Sequence, residues 1–192
     1  MTFKPLKLLL VSTPIGALGS GKGGGVELTL ISLTKGFLKM GHEVTLLAPE
    51  GSELPSECSG IKIRYVSGSD QPSWQHQDYS SPVVIPFDSI LSNLWEDALD
   101  IGKEVDAILN FGYDWLPLWL TPHVEQKLFH LISMGGVSTV MQNQIMKISS
   151  THHSRLAFHT HIQASDYELS QAPIVVGNGF DLDKYAFQPK TG

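Results

Sequence analysis

An α/β fold, with a parallel sheet and helices on both of its faces, is predicted from the order of apolar and amphipathic segments near the start of the chain. Residues 7–12 form a continuous apolar run bounded by turn residues, which is typical of a strand buried on both faces. Positions 25–40 carry a helical stripe of apolar residues that is closed by Gly41, and residues 43–48 form a second apolar run. This succession predicts a right-handed βαβ unit and a Rossmann-like sheet.

The rest of the chain continues the alternation of strands and helices. Further strands are predicted over 61–66, 105–111, 128–133 and 156–158, with one helix over 89–103 and another between the last two strands. The polar, turn-rich segment 67–82 is predicted to be a mobile surface loop. We find no repeat and no internal boundary, so residues 1–180 are interpreted as one domain and residues 181–192 as the start of a linker.

The composition excludes several classes of protein. Of the 192 residues, 42% are hydrophobic and 17% are charged, which is typical of a globular domain. A net charge of −6 without a basic run argues against a nucleic-acid partner. Cys58 is the only cysteine, which fits a reducing cytoplasm. The apolar run near the N-terminus is too short for a signal peptide, and no stretch approaches the ~18 apolar residues of a membrane span.

Three phosphate-loop patterns overlap within residues 12–27. The first, from Gly16 to Lys22, resembles a P-loop, but glycine follows the lysine where a hydroxyl group is needed to bind magnesium. Lys22 is therefore interpreted as a solvated side chain. The second pattern, Gly19-x-Gly21-x-x-Gly24, is typical of a dinucleotide site, but it begins too far after the first strand. The second strand also ends without the acidic residue that would bind a ribose.

The third pattern is G-G-x-E, which ends at Glu27. It places Gly23, Gly24 and Gly25 at the start of a helix, where a backbone without side chains can approach an anion and direct N–H groups at it. The alternative is a flexible glycine linker that binds nothing. We favour the anion site, because three glycines beside a well-patterned helix are costly to order.

Four segments of the chain carry a resemblance to a known family: STPIGALGSGKGGGVELTL, ILNFGYDWLPLWLTP, HLISMGG and GNGFDLDKY. Together they resemble the N-terminal domain of the retaining family 4 glycosyltransferases, which have the GT-B architecture of two Rossmann-like domains. Within that family they are similar to the cyanobacterial group that transfers glucose from UDP-glucose to a hydroxyl group of tetrahydrobiopterin. The resemblance extends over nearly the whole chain.

The resemblance implies a division of roles. Gly23, Gly24 and Gly25 would contact the diphosphate of the donor. The reaction would need no metal ion or other cofactor, and no residue is assigned as a catalytic base. The donor-binding C-terminal domain of such an enzyme is absent from these 192 residues, so we expect the chain alone to be inactive. Its partners would be the UDP-sugar, the pterin acceptor and that second domain.

Five residues are predicted to bind the acceptor. Tyr113, Asp114 and Trp115 follow a predicted strand, where ligands bind in open α/β sheets, and an aromatic ring there can stack on a flat pterin. Asp114 can pair with nitrogen atoms of the ring, or accept a hydrogen bond from a hydroxyl group of the sugar or of the acceptor. The alternative is an aromatic loop that only packs beneath the next helix. Ser133 and Met134 stand at the end of the next predicted strand, at the position where many members of the family carry a histidine.

Other functions remain open at this point. His159 and His161 would share one face of a strand and suggest a metal, but no Asp, Glu or Cys completes a site, and we predict none. Asn178 and Asp181 are interpreted as turn and capping residues. The two rival functions are an NAD-type oxidoreductase domain and a non-catalytic module that binds a pterin or a sugar.

Overall fold

A computed structural model describes residues 4–179 of the chain. Within these residues there are six strands: β1 (Lys7–Val11), β2 (Glu43–Pro49), β3 (Lys62–Val66), β4 (Ala107–Asn110), β5 (Leu128–Ile132) and β6 (Leu156–Phe158). The α-helices are α1 (Gly25–Lys39), α2 (Ile90–Ile101), α3 (Trp115–Leu120), α4 (Thr139–His152) and α5 (His161–Ala164). Short 3-10 helices cover Ser56–Cys58, Trp74–His76, Gly102–Glu104, Thr121–His123 and His153–Arg155.

The six strands form one sheet, and every pair of neighbouring strands is parallel. Their order is β3-β2-β1-β4-β5-β6, so β1 and β4 lie at the centre. Leu8 of β1 pairs with Val44 on one side and with Ala107 on the other. The chain winds outward from β1 to β3, returns through α2, and then winds outward in the opposite direction from β4. A crevice therefore opens between the carboxyl ends of β1 and β4, where the winding reverses.

The two faces of the sheet are covered by different helices. On one face, Leu30 of α1 packs with Leu10 of β1 and Leu46 of β2. On the other face, Leu94 of α2 packs with Leu9 of β1. The same layer continues over β5 and β6, where α4 packs on the sheet. Helices on both faces explain why the strands are apolar on both sides. The predicted fold class is confirmed.

Most predicted elements are present, with the strands close to their predicted bounds. Gly41 follows α1 with a φ of 81°, the left-handed conformation expected after a helix. Helix α3 was not predicted. Within residues 4–179, no helix has both the length and the apolar character needed to cross a membrane. The predicted linker 181–192, including Asp181, lies outside the described residues.

The segment predicted as a mobile surface loop packs against the domain. We call residues 69–88 the strap. Trp74 is 3% exposed and lies in the core beside α4. The backbone carbonyl of Tyr79 accepts hydrogen bonds from the Thr139 N–H (2.9 Å) and hydroxyl (3.1 Å) at the start of α4. Most residues of the predicted segment 67–82 are exposed, as expected of a surface loop, but Gln71 and Trp74 are buried, and the packing of Trp74 was not predicted because its sequence neighbours are polar.

Candidate functional site

A cavity of about 310 Å³ lies at the carboxyl ends of the central strands, beside the N-terminus of α1. It is formed by the loops after β1, β4, β5 and β6 together with the strap. Its lining residues are Thr13, Ile15, Lys22, Gly23, Gly24, Gly25, Val26, Thr29, Pro72, Ser73, Trp74, Gln75, Phe111, Tyr113, Asp114, Leu131, Ser133, Met134, His159 and Asn178. Its position is the one where ligands bind in open α/β sheets.

The structure brings together seven of the eight predicted site residues. Those that line the cavity are Gly23, Gly24, Gly25, Tyr113, Asp114, Ser133 and Met134. Trp115 is not among the lining residues. It is the first residue of α3, and its ring stacks on that of Trp119 with 5.6 Å between the ring centroids. Trp115 packs against an apolar cluster that includes Leu118 and Ile132, as the alternative interpretation of a packed aromatic predicts, and Tyr113 packs against the same cluster while it also lines the cavity.

The glycine loop is organised by Glu27, which is 5% exposed. Its carboxylate accepts hydrogen bonds from the N–H groups of Gly19 (2.8 Å), Gly21 (3.4 Å) and Gly23 (2.7 Å). A Cβ atom on Gly23 would lie 2.9 Å from Cγ of Glu27, so only glycine permits this approach. The Glu27 carboxylate is therefore itself the anion that this part of the loop binds. The Gly23 N–H, which was predicted to contact a diphosphate, is already hydrogen-bonded to it.

Two backbone donors remain at the start of α1. The Gly24 N–H donates to the carbonyl of Gly21 at 3.2 Å. In residues 4–179, neither the Gly25 N–H nor the Val26 N–H makes a hydrogen bond, and both residues line the cavity. Lys22, interpreted from the sequence as merely solvated, lines the same cavity. The groups at this end of the cavity that are suited to an anion are thus the two free N–H groups and the helix dipole, with the exposed Lys22 beside them.

Asp114 is a buried carboxyl group at the start of α3. It is 1% exposed, and its Oδ1 accepts a hydrogen bond from the Trp115 N–H at 2.8 Å. Burial raises the pKa of Asp114 to about 6, while the Trp115 N–H and the nearby side chains of Trp74 and Gln71 oppose that rise. Asp114 is therefore able to change its charge close to neutral pH.

Tyr113 lines the cavity with its ring and uses its hydroxyl group elsewhere. That hydroxyl lies 3.2 Å from the hydroxyl of Tyr167 and 3.3 Å from the carbonyl of Gly135. The Tyr167 hydroxyl in turn donates to the carbonyl of Met134 at 2.8 Å. Burial raises the pKa of Tyr113 to about 12, so the hydroxyl stays protonated. The tyrosine pair fixes the loop after β5 next to the loop after β4.

A buried series of hydrogen-bonded side chains, which was not predicted from the sequence, supports the turn at Tyr113 and Asp114. Nδ1 of His130, in β5, lies 3.1 Å from Nδ2 of Asn110, and its Nε2 lies 2.8 Å from the hydroxyl oxygen of Thr121. Asn110 Oδ1 accepts from the Gly112 N–H, which directs its amide nitrogen at His130. Nδ1 is therefore the acceptor, and Nε2 carries the hydrogen. Burial lowers the pKa of His130 to about 3, so this histidine is neutral.

The predicted histidine pair is separated by the end of a strand. His159 follows β6 directly, whereas His161 is the first residue of α5, so the two do not share a strand face as expected. Nδ1 of His159 lies 3.3 Å from the carbonyl of Gly177. Among the described residues, no three His, Cys, Asp or Glu side chains are grouped to hold a metal ion.

The geometry bears on the two rival phosphate patterns as well. The second strand ends at Pro49, and Glu50 is exposed beyond it, so no buried carboxylate lies at the position that binds a ribose in dinucleotide sites. Gly16, Gly19 and Gly21 serve to shape the loop around Glu27. No protein-family model matches this sequence, and a comparison with curated proteins finds no match.

Proposed function

We propose that this chain is the acceptor-side domain of a retaining glycosyltransferase that moves glucose from UDP-glucose to a hydroxyl group of tetrahydrobiopterin. The observation that carries the proposal is one cavity with two chemically different ends. The free N–H groups of Gly25 and Val26 suit a diphosphate, and the wall formed by Tyr113, which packs in the cluster on the other face of the sheet from α1, suits a flat ring. The family resemblance of the four segments supports the same interpretation.

The energetics require a second surface for the donor. Two hydrogen bonds to a charged oxygen contribute about 1.5–3 kcal/mol each, and the helix dipole contributes about 0.3–1 kcal/mol. Association costs about 4 kcal/mol or more. These donors alone therefore bind a diphosphate with a Kd of about 1 mM or weaker. In the GT-B architecture a second domain supplies the remaining contacts.

The proposed reaction exchanges one bond at the anomeric carbon. The bond from this carbon to the diphosphate oxygen breaks as the bond to the acceptor oxygen forms on the same face of the sugar. The proton of the acceptor hydroxyl passes to the leaving phosphate oxygen, so no side chain is assigned as a base. The Gly25 and Val26 N–H groups stabilise the charge that develops on the leaving diphosphate.

Calorimetric titration of the chain with tetrahydrobiopterin, UDP-glucose and NAD tests the proposal. We expect tetrahydrobiopterin to bind at least about tenfold more tightly than the other two, because the acceptor site is complete in this domain. Glucosylated pterin, detected by mass spectrometry, is expected once a donor-binding domain is supplied. Tighter binding of NAD would instead favour an oxidoreductase domain. Pterin binding without transfer in the presence of that domain would favour a non-catalytic module.

A further inference from the structure

Two polar atoms at the cavity have no partner within the described part of the chain. The indole Nε1 of Trp74 and the hydroxyl of Ser133 are both buried, and neither makes a hydrogen bond. Both residues line the cavity, and Trp74 as a whole is 3% exposed. Buried donors in folded proteins are almost always paired, and an unpaired one is costly. A ligand with a suitable acceptor would satisfy these atoms.

Trp74 lies next to an unused acceptor. The indole approaches the carboxyl group of Asp114 closely enough to help lower its pKa, although it makes no hydrogen bond. Oδ1 of Asp114 accepts from the Trp115 N–H, while Oδ2 accepts no hydrogen bond of normal geometry from residues 4–179. The side chain of Gln71 also lies near this carboxyl group, but its amide N–H donates to the carbonyl of Val84 at 3.1 Å. One donor and one acceptor without partners therefore lie side by side at the cavity.

This pair complements a lactam edge, in which a ring N–H adjoins a ring carbonyl. We infer that Asp114 accepts from the ring N–H of the ligand while Trp74 donates to the neighbouring carbonyl, which makes the two residues specificity determinants of the site. The inference rests on the proposed function for the location of the ring-binding end. Sugars carry no such edge, and the strap, which contributes Trp74, becomes part of the recognition surface.

Two kinds of ligand carry a lactam edge: the oxopteridine acceptor and a nucleobase such as uracil. Each has an analogue in which an amino group replaces the carbonyl, namely 2,4-diaminopteridine for 2-amino-4-oxopteridine and cytidine for uridine. The amino group would place a donor against the Trp74 N–H and leave both unpaired. Affinities for both pairs are measured by calorimetry on the 192-residue chain at pH 8, above the pKa of Asp114.

The expected result is a preference for the oxopteridine over the diaminopteridine of at least about tenfold in the unmodified protein. Trp74→Phe removes the donor and is expected to reduce that preference to about threefold or less. Trp119→Phe is the matched control, because Trp119 lies outside the cavity lining, and it should keep the full preference. Circular dichroism confirms that each variant folds.

The outcomes separate this inference from the proposed function. If the oxopteridine binds but the unmodified protein shows no preference, or Trp74→Phe retains the preference, the lactam interpretation is overturned while the pterin proposal stands. If no pteridine binds but uridine is preferred over cytidine in a Trp74-dependent way, the interpretation stands and the acceptor proposal fails. If none of the four compounds binds, both are overturned.

Discussion

The carboxylate of Glu27 accepts a hydrogen bond from the Gly23 N–H at 2.7 Å, and this contact joins the first turn of α1 to the loop before it. The same carboxylate accepts from the Gly19 N–H at 2.8 Å through its other oxygen. A buried negative charge is thereby paired with backbone donors. The contact determines which N–H groups of the loop are left for a ligand.

Removing the Glu27 carboxylate should destabilise the protein. Glu27→Ala leaves the Gly19 and Gly23 N–H groups without their charged acceptor, and we expect a loss of about 2–4 kcal/mol in the free energy of unfolding. Glu27→Gln keeps one acceptor oxygen and should lose less. Urea denaturation measures both. Glu96→Ala, an exposed glutamate within α2, is the control. Equal stability of Glu27→Ala and the control would contradict the role of Glu27.

A single N–H group at the start of α1 can be removed without changing charge. Gly25 is the first residue of the helix, a position that tolerates proline, and its N–H makes no hydrogen bond with the described residues. Gly25→Pro should weaken UDP binding by about tenfold, whereas Gly25→Ala retains the N–H and enters open space. Nitrogen-15 NMR titration with UDP measures both affinities. Equal weakening in the two variants would point to a steric effect and against an anion site at this N–H.

The raised pKa of Asp114 predicts that replacing this residue changes the stability of the protein by an amount that depends on pH. Its raised pKa means that the folded protein prefers the protonated carboxyl, so this contribution is complete below pH 4 and is lost as the pH rises through about 6. Asp114→Asn, which keeps the capping oxygen, should therefore be more stable than the unmodified protein at pH 8, by up to about 3 kcal/mol. The difference should vanish at pH 4. Asp78→Asn, at an exposed aspartate in the strap, is the control. A difference that does not depend on pH would contradict the prediction.

The lowered pKa of His130 predicts that its contribution to stability depends on pH in the opposite direction. Because its pKa is lowered in the folded state, its contribution is complete above pH 6.5 and is lost as the pH falls toward 3. The slope amounts to about 1.4 kcal/mol per pH unit. His130→Gln should abolish this part of the acid destabilisation, whereas His76→Gln, at an exposed histidine, should not. Thermal unfolding between pH 4 and 7 measures the slopes. Identical slopes in the two variants would contradict the role of His130.

Much of the candidate site follows from the sequence by a simple rule. Parallel strands end at one edge of the sheet, so the turn after β4 and the loop after β5 had to approach the glycine loop. This is why Tyr113, Asp114, Ser133 and Met134 meet Gly25 at one cavity. Their assignment to one ligand remains a prediction of the family resemblance.

The residues that were missed depend on contacts that no local pattern contains. Trp74 lies in a polar segment, and its burial results from packing of the strap against α4. The direction of the Glu27 carboxylate depends on the left-handed turns of the loop before it. His130 did carry a signal, because the period of two in β5 places it on the same face as Leu128 and Ile132. That pattern indicates a buried polar group in need of partners.

The proposed acceptor site is tested most directly by the indole N–H signal of Trp74 in nitrogen-15 NMR during titration with tetrahydrobiopterin. We predict that this signal shifts and saturates, because a ring carbonyl provides the hydrogen-bond acceptor that Trp74 lacks among residues 4–179. The Trp119 indole signal, outside the cavity, should stay in place. A titration in which the Trp74 indole signal and the amide signals of Tyr113 and Ser133 all stay in place would contradict the proposed acceptor site, whereas an unmoved Trp74 signal alone would contradict only its contact with the ring carbonyl.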